Sequence, residues 1–245
     1  MEKYSLSKWG FDHTSKICVL TGAGISADSG VKTFRDAGGL WEGHHIEDVA
    51  TPEGFYKDPT LVIDFYNQRR KQLVEVEPNP AHEALARLEK KLGEDKCLIV
   101  TQNVDDLHER GGSRNIIHMH GELRKLRCMD DDSHIIEFSE SQNQDTHCPK
   151  CSAKMRPHIV WFGEIPFEMD KIEKSISDCT HFVFIGTSSL VYPAAGYKNM
   201  AKHCGAKVLN INLSVDRADL DTHYYIEGRA KVAVSEWVDE LLDYL

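Results

Sequence analysis

The turn Gly22-Ala23-Gly24-Ile25-Ser26-Ala27 directly follows the apolar run Lys16-Ile-Cys-Val-Leu-Thr21 and precedes an apparent helix start. That order satisfies the G-x-G-x-x-G/A pattern, in which glycine backbone approaches a pyrophosphate at a helix N-terminus. Glycines in a tight strand-to-helix turn that holds no ligand give the same pattern. No Gly-Lys-Ser/Thr follows, which argues against a P-loop nucleotidase. A dehydrogenase would next show a second strand ending in an acidic ribose ligand. Instead comes Thr33-Phe34-Arg35-Asp36-Ala37-Gly38-Gly39-Leu40-Trp41, where Arg35 among aromatics and glycines reads as a flap over a bound dinucleotide. The plainer reading is that Phe34 and Trp41 fill core.

Two further clusters carry polar groups after predicted strands. Thr101-Gln102-Asn103-Val104-Asp105-Asp106-Leu107-His108 lies at the carboxyl edge, where open α/β sheets bind ligands. Its amides and carboxylate can bind a ribose or carboxamide, or simply cap a helix. Ile116-Ile-His118-Met-His120-Gly121 sets two histidines at alternate positions, each a candidate base or a hydrogen-bonded structural residue. Of seven cysteines only Cys128, Cys148 and Cys151 cluster. That excludes a secreted disulfide framework and fits reduced thiols with a metal site.

These residues need a scaffold. At 245 residues the chain fits one large domain or a main domain with an inserted lobe. Apolar content of 41% and charged content of 28% exclude disorder. Strand patterns at 16–21, 97–101, 182–187 and 207–213 alternate with helical patterns at 80–92 and 194–204. Ser235 is read as the N-cap of a last helix burying Trp237, Val238, Leu241 and Leu245. The fold class expected is α/β: a Rossmann-like parallel sheet with helices on both faces. Residues 10–33, 79–122 and 157–245 form the main domain in this reading. The aromatic-rich segment 34–78 and the polar, cysteine-bearing segment 123–156 break the rhythm and form a smaller lobe.

No apolar run is long enough to cross a bilayer, and residues 1–10 carry no signal-peptide pattern, so a cytoplasmic protein is expected. The formal net charge of −10 disfavours nucleic acid and favours cationic partners.

Taken together and in order, Gly22-Ala-Gly-Ile-Ser26, Thr33-Phe-Arg35, Thr101-Gln-Asn-Val-Asp105, His118-Met-His-Gly121, Val160-Trp-Phe-Gly-Glu164, Gly186-Thr-Ser188 and Asn210-Ile-Asn212 resemble the sirtuins. These are NAD-dependent protein lysine deacylases. The resemblance runs from about Lys16 to the final helix and implies NAD as co-substrate, with nicotinamide and O-acyl-ADP-ribose as products. It places Gly22, Ala23, Gly24 and Ile25 along the diphosphate, Phe34, Arg35 and Trp41 at the cofactor loop, and Gln102, Asn103 and Asp105 around the nicotinamide ribose. Gly186, Thr187, Ser188 and Asn212 would hold the adenosine half, with Ala230 near the adenine. His120 matches the family's general base. Val160, Trp161, Phe162 and Gly163 match the edge where a substrate peptide adds as a strand.

Ala50, Tyr66 and Arg69 match the acyl pocket of the branch, with bacterial members, that accepts succinyl and malonyl lysine. A guanidinium fork and a phenol suit a carboxylate, and alanine leaves room. As i and i+3 on a helix, Tyr66 and Arg69 read equally as a surface pair. The metal site departs from the family pattern. Cys148-Pro-Lys-Cys151 is intact, but the first pair reads Cys128-Met-Asp-Asp131. Asp131, His134 or His147 could complete a zinc shell; the alternative is loss of the metal. Lys32 stands where many members carry proline.

A monomer acting on acyl-lysine proteins is expected, with no nucleic acid or membrane partner. The rivals are an ADP-ribosyltransferase, which adds mass to its target, and a non-catalytic sensor of NAD or O-acyl-ADP-ribose, which has no need of His120. A zinc-ribbon nucleic-acid binder conflicts with the run Asp130-Asp131-Asp132.

Overall fold

The computed structural model describes residues 2–32, 40, 41, 43–187, 192–215 and 222–245, with backbone alone at 40 and 41. The elements begin with β1 (Glu2–Lys3), α1 (Leu6–Trp9), β2 (Ile17–Thr21), β3 (Leu40–Trp41) and β4 (His44–His45). Four helices follow: α2 (Ile46–Val49), α3 (Pro52–Lys57), α4 (Pro59–Glu75) and α5 (Pro80–Leu92). Then come β5 (Cys97–Thr101), α6 (Leu107–Arg110), β6 (Ile116–His118), β7 (Gly121–Cys128), β8 (Ile135–Glu137) and β9 (Met155–Ile159). The chain finishes with α7 (Met169–Asp178), β10 (His181–Ile185), α8 (Ala194–His203), β11 (Lys207–Asn212), β12 (Tyr224–Glu227) and α9 (Ala230–Tyr244).

Seven strands make one sheet in the order β1-β12-β11-β10-β2-β5-β6, every neighbouring pair parallel. Parallel strands are joined by crossovers that cover both faces, so the central strands must be apolar on both. In β2 successive side chains divide accordingly. Ile17 and Val19 pack under α5 and α9 with Leu85, Leu88, Trp237 and Leu241. Cys18 and Leu20 face α7 and α8 with Ile172, Ile176 and Tyr197. The α/β class and the doubly covered sheet expected from the alternation are what the chain forms.

Helix α5 starts where its sequence says it should. Asn79 Oδ1 accepts from the Ala81 N–H, the Asn79 N–H donates to His82 Nδ1, and Pro80 occupies the first turn. Two local readings are corrected. After the glycine turn no α-helix begins; two 3-10 turns, Ala23–Ile25 and Ala27–Ser29, end at Gly30 with φ of 92°. The Ser26 hydroxyl that could cap a helix there is instead bonded to Asp105 and Asn103. Ser235 is not an N-cap either. Helix α9 starts at Ala230, and the Ser235 hydroxyl donates back to the Lys231 carbonyl at 2.9 Å from inside the helix.

Strands β8, β7 and β9 form a separate antiparallel sheet. Helices α2 to α4 pack on its Gly121 end through Val49, Phe55, Phe65 and Tyr66 against Leu123, Ile159 and Trp161. Its other end closes over Leu126, Cys128, Cys148 and Met155. Among the described residues no helix is long and apolar enough to cross a membrane.

Candidate active site and metal centre

The carboxyl ends of β2, β5, β6, β10 and β11 bring the sequence motifs together. Gly22 and Gly24 are locked against the turn after β10. Their N–H groups donate to the Ile185 and Gly186 carbonyls at 3.0 and 2.8 Å, and an added Cβ would come within 2.9 and 2.7 Å of Gly186 atoms. Gly186 itself has φ of 61°, and a Cβ there would lie 2.5 Å from the Ile25 nitrogen. The glycines therefore serve a close loop-to-loop approach as well as any ligand. Beside them Thr187 Oγ1 accepts from Gln102 Nε2 at 3.0 Å, and the Thr187 carbonyl accepts from Asn212 Nδ2 at 2.8 Å. Ala230 is buried at the start of α9, next to the Arg229 and Lys231 contacts with Asp28.

After β5 the polar run is anchored by its own hydroxyls. Thr101 Oγ1 accepts the Asn103 N–H and is bonded to Thr21 Oγ1. Ser26 Oγ accepts from Asn103 Nδ2 at 3.1 Å and donates to Asp105 Oδ2 at 3.0 Å. Burial raises the Asp105 carboxyl to about 6, against the Leu107 N–H and the Ser26 hydroxyl that pull it down. Ser26 belongs to the glycine motif, and its separation of 79 residues from Asp105 hides the bond from any local pattern.

His120 follows β6 and donates Nδ1–H to the Gln102 carbonyl at 3.1 Å. A carbonyl only accepts, so Nδ1 carries the proton and Nε2 of the neutral ring keeps its lone pair. Burial lowers the His120 pKa, the Gln102 carbonyl opposing it, which favours the neutral ring. The next residue, Gly121, has φ of 87°, and a Cβ there would sit 2.1 Å from the His158 carbonyl oxygen. The His120 carbonyl accepts the Val160 N–H at 2.9 Å.

Ala50, Tyr66 and Arg69 are all buried, which removes the reading of Tyr66 and Arg69 as a surface pair. Tyr66 Oη accepts from Trp161 Nε1 at 2.9 Å, and the Ala50 carbonyl accepts the Phe162 N–H. Arg69 opens on a cavity of about 210 Å³ lined also by Val31, Lys32, Val104, Asp105 and Leu123. A larger cavity of about 330 Å³ sits at the other ends of the strands, among Lys16, Asp95 and Lys174, and takes in none of the motif residues.

The segment Val160 to Gly163 is a turn, not a strand. Its first three N–H groups are spent on His120, Glu164 and Ala50, so an added peptide strand must use its carbonyls and the groups from Gly163 on. Glu164 also takes Arg156, whose guanidinium lies 3.4 Å from the Trp161 ring centroid, and this pair went unnoticed in the sequence. Phe34, Arg35, Ser188 and the side chain of Trp41 lie outside the described residues.

Cys128, Cys148 and Cys151 do converge, and His134 joins them, with one atom from each within 4.8 Å of the others. His134 Nδ1 faces Cys148 Sγ at 3.6 Å while Nε2 faces Asp131 Oδ2 at 3.3 Å. Asp131 is thus outside the cluster, holding the histidine and Ser133. His147 turns its Nδ1 to the Asp145 carbonyl and is excluded as well. Burial raises the Cys148 thiol, but N–H groups of Lys150 and Cys151 outweigh it and bring the pKa down to about 6. Three sulfurs and an imidazole so placed fit a tetrahedral zinc, and a carboxylate on the far ring nitrogen is the usual support of a metal-bound histidine.

A Sir2 family model matches residues 22–193. The NAD-dependent protein deacylase of Vibrio cholerae is 49% identical over 229 residues, 92% of this chain and 93% of that one. A solved Sir2 homolog–NAD complex superposes with a TM-score of 0.88 at 34% identity, covering 100% of this chain and 97% of that one. A Sir2–p53 peptide–NAD+ complex reaches a TM-score of 0.75 at 27% identity over 94% and 92% of the two chains.

Proposed function

The chain belongs to the Sir2 family and is an NAD-dependent protein deacylase, and from that premise we propose that it removes succinyl and malonyl as well as acetyl groups from protein lysines. The observation that carries the acyl range is the burial of Arg69 on the cavity it shares with Asp105. A guanidinium there offers an incoming acyl carboxylate a planar, charged fork in a dry setting. Tyr66, one turn earlier on α4, accepts a hydrogen bond from the Trp161 indole N–H.

NAD+, as co-substrate, supplies the ribose carbon that takes the acyl group when nicotinamide leaves. His120 is the base: its Nε2 removes a proton from a ribose hydroxyl so that the oxygen can attack the acyl carbon, after which water adds, the C–N bond to the lysine amine breaks, and free lysine and O-acyl-ADP-ribose leave. Gln102 orients that ring through its carbonyl. Asn103 and Asp105, joined by Ser26, line the nicotinamide ribose, and the buried Asp105 carboxylate stabilises positive charge developing on the ribose. Gly22 to Ile25 take the diphosphate; Gly186, Thr187 and Asn212, with Ala230, take the adenosine half. Phe34, Arg35, Trp41 and Ser188 complete these subsites by resemblance alone. Val160 to Gly163 receive the peptide.

Cys128, Cys148, Cys151 and His134 hold a structural zinc in this reading, far from the reacting atoms. The small lobe is assigned to residues 34–78 and 123–156. The net charge of −10 favours encounter with lysine-rich protein substrates, and a monomer in the cytoplasm is the state in which we expect it.

The test is mass spectrometry of one lysine peptide, acetylated or succinylated, incubated with and without NAD. Both acyl masses should disappear only with NAD, and Arg69→Met should lower the succinyl-to-acetyl ratio of kcat/KM about tenfold or more. Succinyl peptide left intact by the wild type overturns the acyl assignment. Mass gained by the peptide favours the transferase instead.

A further inference from the structure

His118 is the histidine for which the reaction has no use. Both of its ring nitrogens are nevertheless engaged. Nδ1 lies 3.1 Å from the Asn103 carbonyl oxygen and Nε2 lies 2.6 Å from Glu109 Oε1. A carbonyl can only accept, and an ionised carboxylate can only accept. A neutral imidazole has one N–H and can satisfy one of them, whereas the imidazolium satisfies both. The 2.6 Å contact is short, as charge-assisted bonds are.

The surroundings favour the charged ring. Glu109 comes from α6 and Glu122 from β7, and both face His118. Lys125 on β7 is held on Glu122 at 2.8 Å. Asp105 lies near on the loop before α6, while His108 on α6 and His158 on β9 are buried and kept neutral. Burial works against the His118 charge, but the Glu109 bond and charge, followed by Glu122 and the Asn103 carbonyl, outweigh it and raise the pKa. The Glu109 carboxyl moves oppositely: burial raises it, and His118 more than reverses that.

The placement matters because of what the other end of the clamp touches. Thr101 on β5 is paired with His118 on β6, so the chain leaving β5 passes beside the two alternate histidines. His118 takes the Asn103 carbonyl and His120 takes the Gln102 carbonyl, two successive peptides held by two imidazoles. We infer that His118 is a positioning residue: as an imidazolium it pins the Gln102–Asn103 backbone between Glu109 and the sheet, and thereby sets the Asn103 amide and the ring of the base. This rests on the roles given above to Asn103 and His120.

Loss of the His118 proton forces the ring to choose between its two acceptors. The Asn103 carbonyl is then free to turn, and with it the amide on Ser26 and the carbonyl that orients His120. The role is tested with the full chain by titrating the His118 ring by NMR, and by steady-state kinetics against pH for Glu109→Gln. The glutamine keeps an acceptor and removes the charge. In the wild type His118 should stay protonated well above the ordinary imidazole midpoint. In Glu109→Gln the midpoint should fall, and KM for NAD should rise about tenfold at about pH 8.5 yet return toward wild type at about pH 6. The titration of His120, whose own pKa burial lowers, is common to both proteins and cancels from the variant-to-wild-type ratio at each pH.

A purely structural ion pair would give a deficit of the same size at every pH. A wild-type ring that titrates at or below its ordinary midpoint, or a Glu109→Gln profile parallel to wild type, overturns the inference. If Asn103→Ala and His120→Ala both turn over normally, the site roles fail, whatever the ring titration reads.

Discussion

The indole N–H of Trp161 and the phenolic oxygen of Tyr66 meet at 2.9 Å, both side chains buried and 95 residues apart in the chain. The bond ties the turn proposed to receive the substrate to the helix proposed to supply the acyl pocket. Indole can only donate, so the Tyr66 oxygen is the acceptor. Trp161→Phe keeps the ring against Arg156 and removes the donor. The succinyl-to-acetyl ratio of kcat/KM should fall about fivefold, the worth of one neutral hydrogen bond, measured on paired peptides.

His120→Ala should reduce deacylation at least a hundredfold, roughly the contribution of a positioned base, while NAD binding measured by calorimetry stays within about threefold. The base works unprotonated, and burial lowers its pKa. The acidic limb of the kcat profile should therefore lie under 6.5. A limb at or above 6.5 would contradict the burial argument.

Purified protein should contain about one zinc per chain, and His134→Ala should hold much less than one, with a lower Tm. His134→Cys should restore both. Asp131→Ala should keep the metal at saturation but release it to a chelator more readily, with affinity down about tenfold. Metal content unchanged in His134→Ala would move the fourth ligand elsewhere.

Stability should decline in mild acid. Burial depresses His82, His158 and His181 to about 4 each, against 6.5 for an exposed ring. Their folded forms prefer the neutral ring, so the stability they allow is complete above 6.5. It is lost as pH falls toward 4, where the unfolded chain binds protons first. The slope is about 1.4 kcal/mol per unit for each such histidine, an upper figure that thermal melts between about pH 7 and pH 4.5 would read as a steadily falling Tm.

The main sheet was legible because its strands are apolar on both faces and bounded by polar residues: Cys97–Thr101 stops at Gln102 in both readings. Ser235 misled because a serine hydroxyl caps a helix from outside or bonds back to a carbonyl from inside, and spacing does not distinguish the two. The choice of His134 over Asp131 and His147 depends on β8 folding back on β7, where the Cys128 N–H meets the His134 carbonyl at 2.9 Å. Pairs such as Trp161 with Tyr66, or Ser26 with Asp105, are products of tertiary packing and leave no trace in local order.

Gly121 and Val160 have a consequence for how the molecule is made. The His120 carbonyl is gripped by the Val160 N–H, and only glycine fits at position 121, against the His158 carbonyl. A ribosome delivers His120 some 40 residues before Val160, so for that interval the nascent chain carries His120 without the N–H that grips its carbonyl. The strand that completes the grip also leads directly into the turn proposed to receive the substrate. His120 and the turn proposed as its peptide platform thus take their places in one docking event.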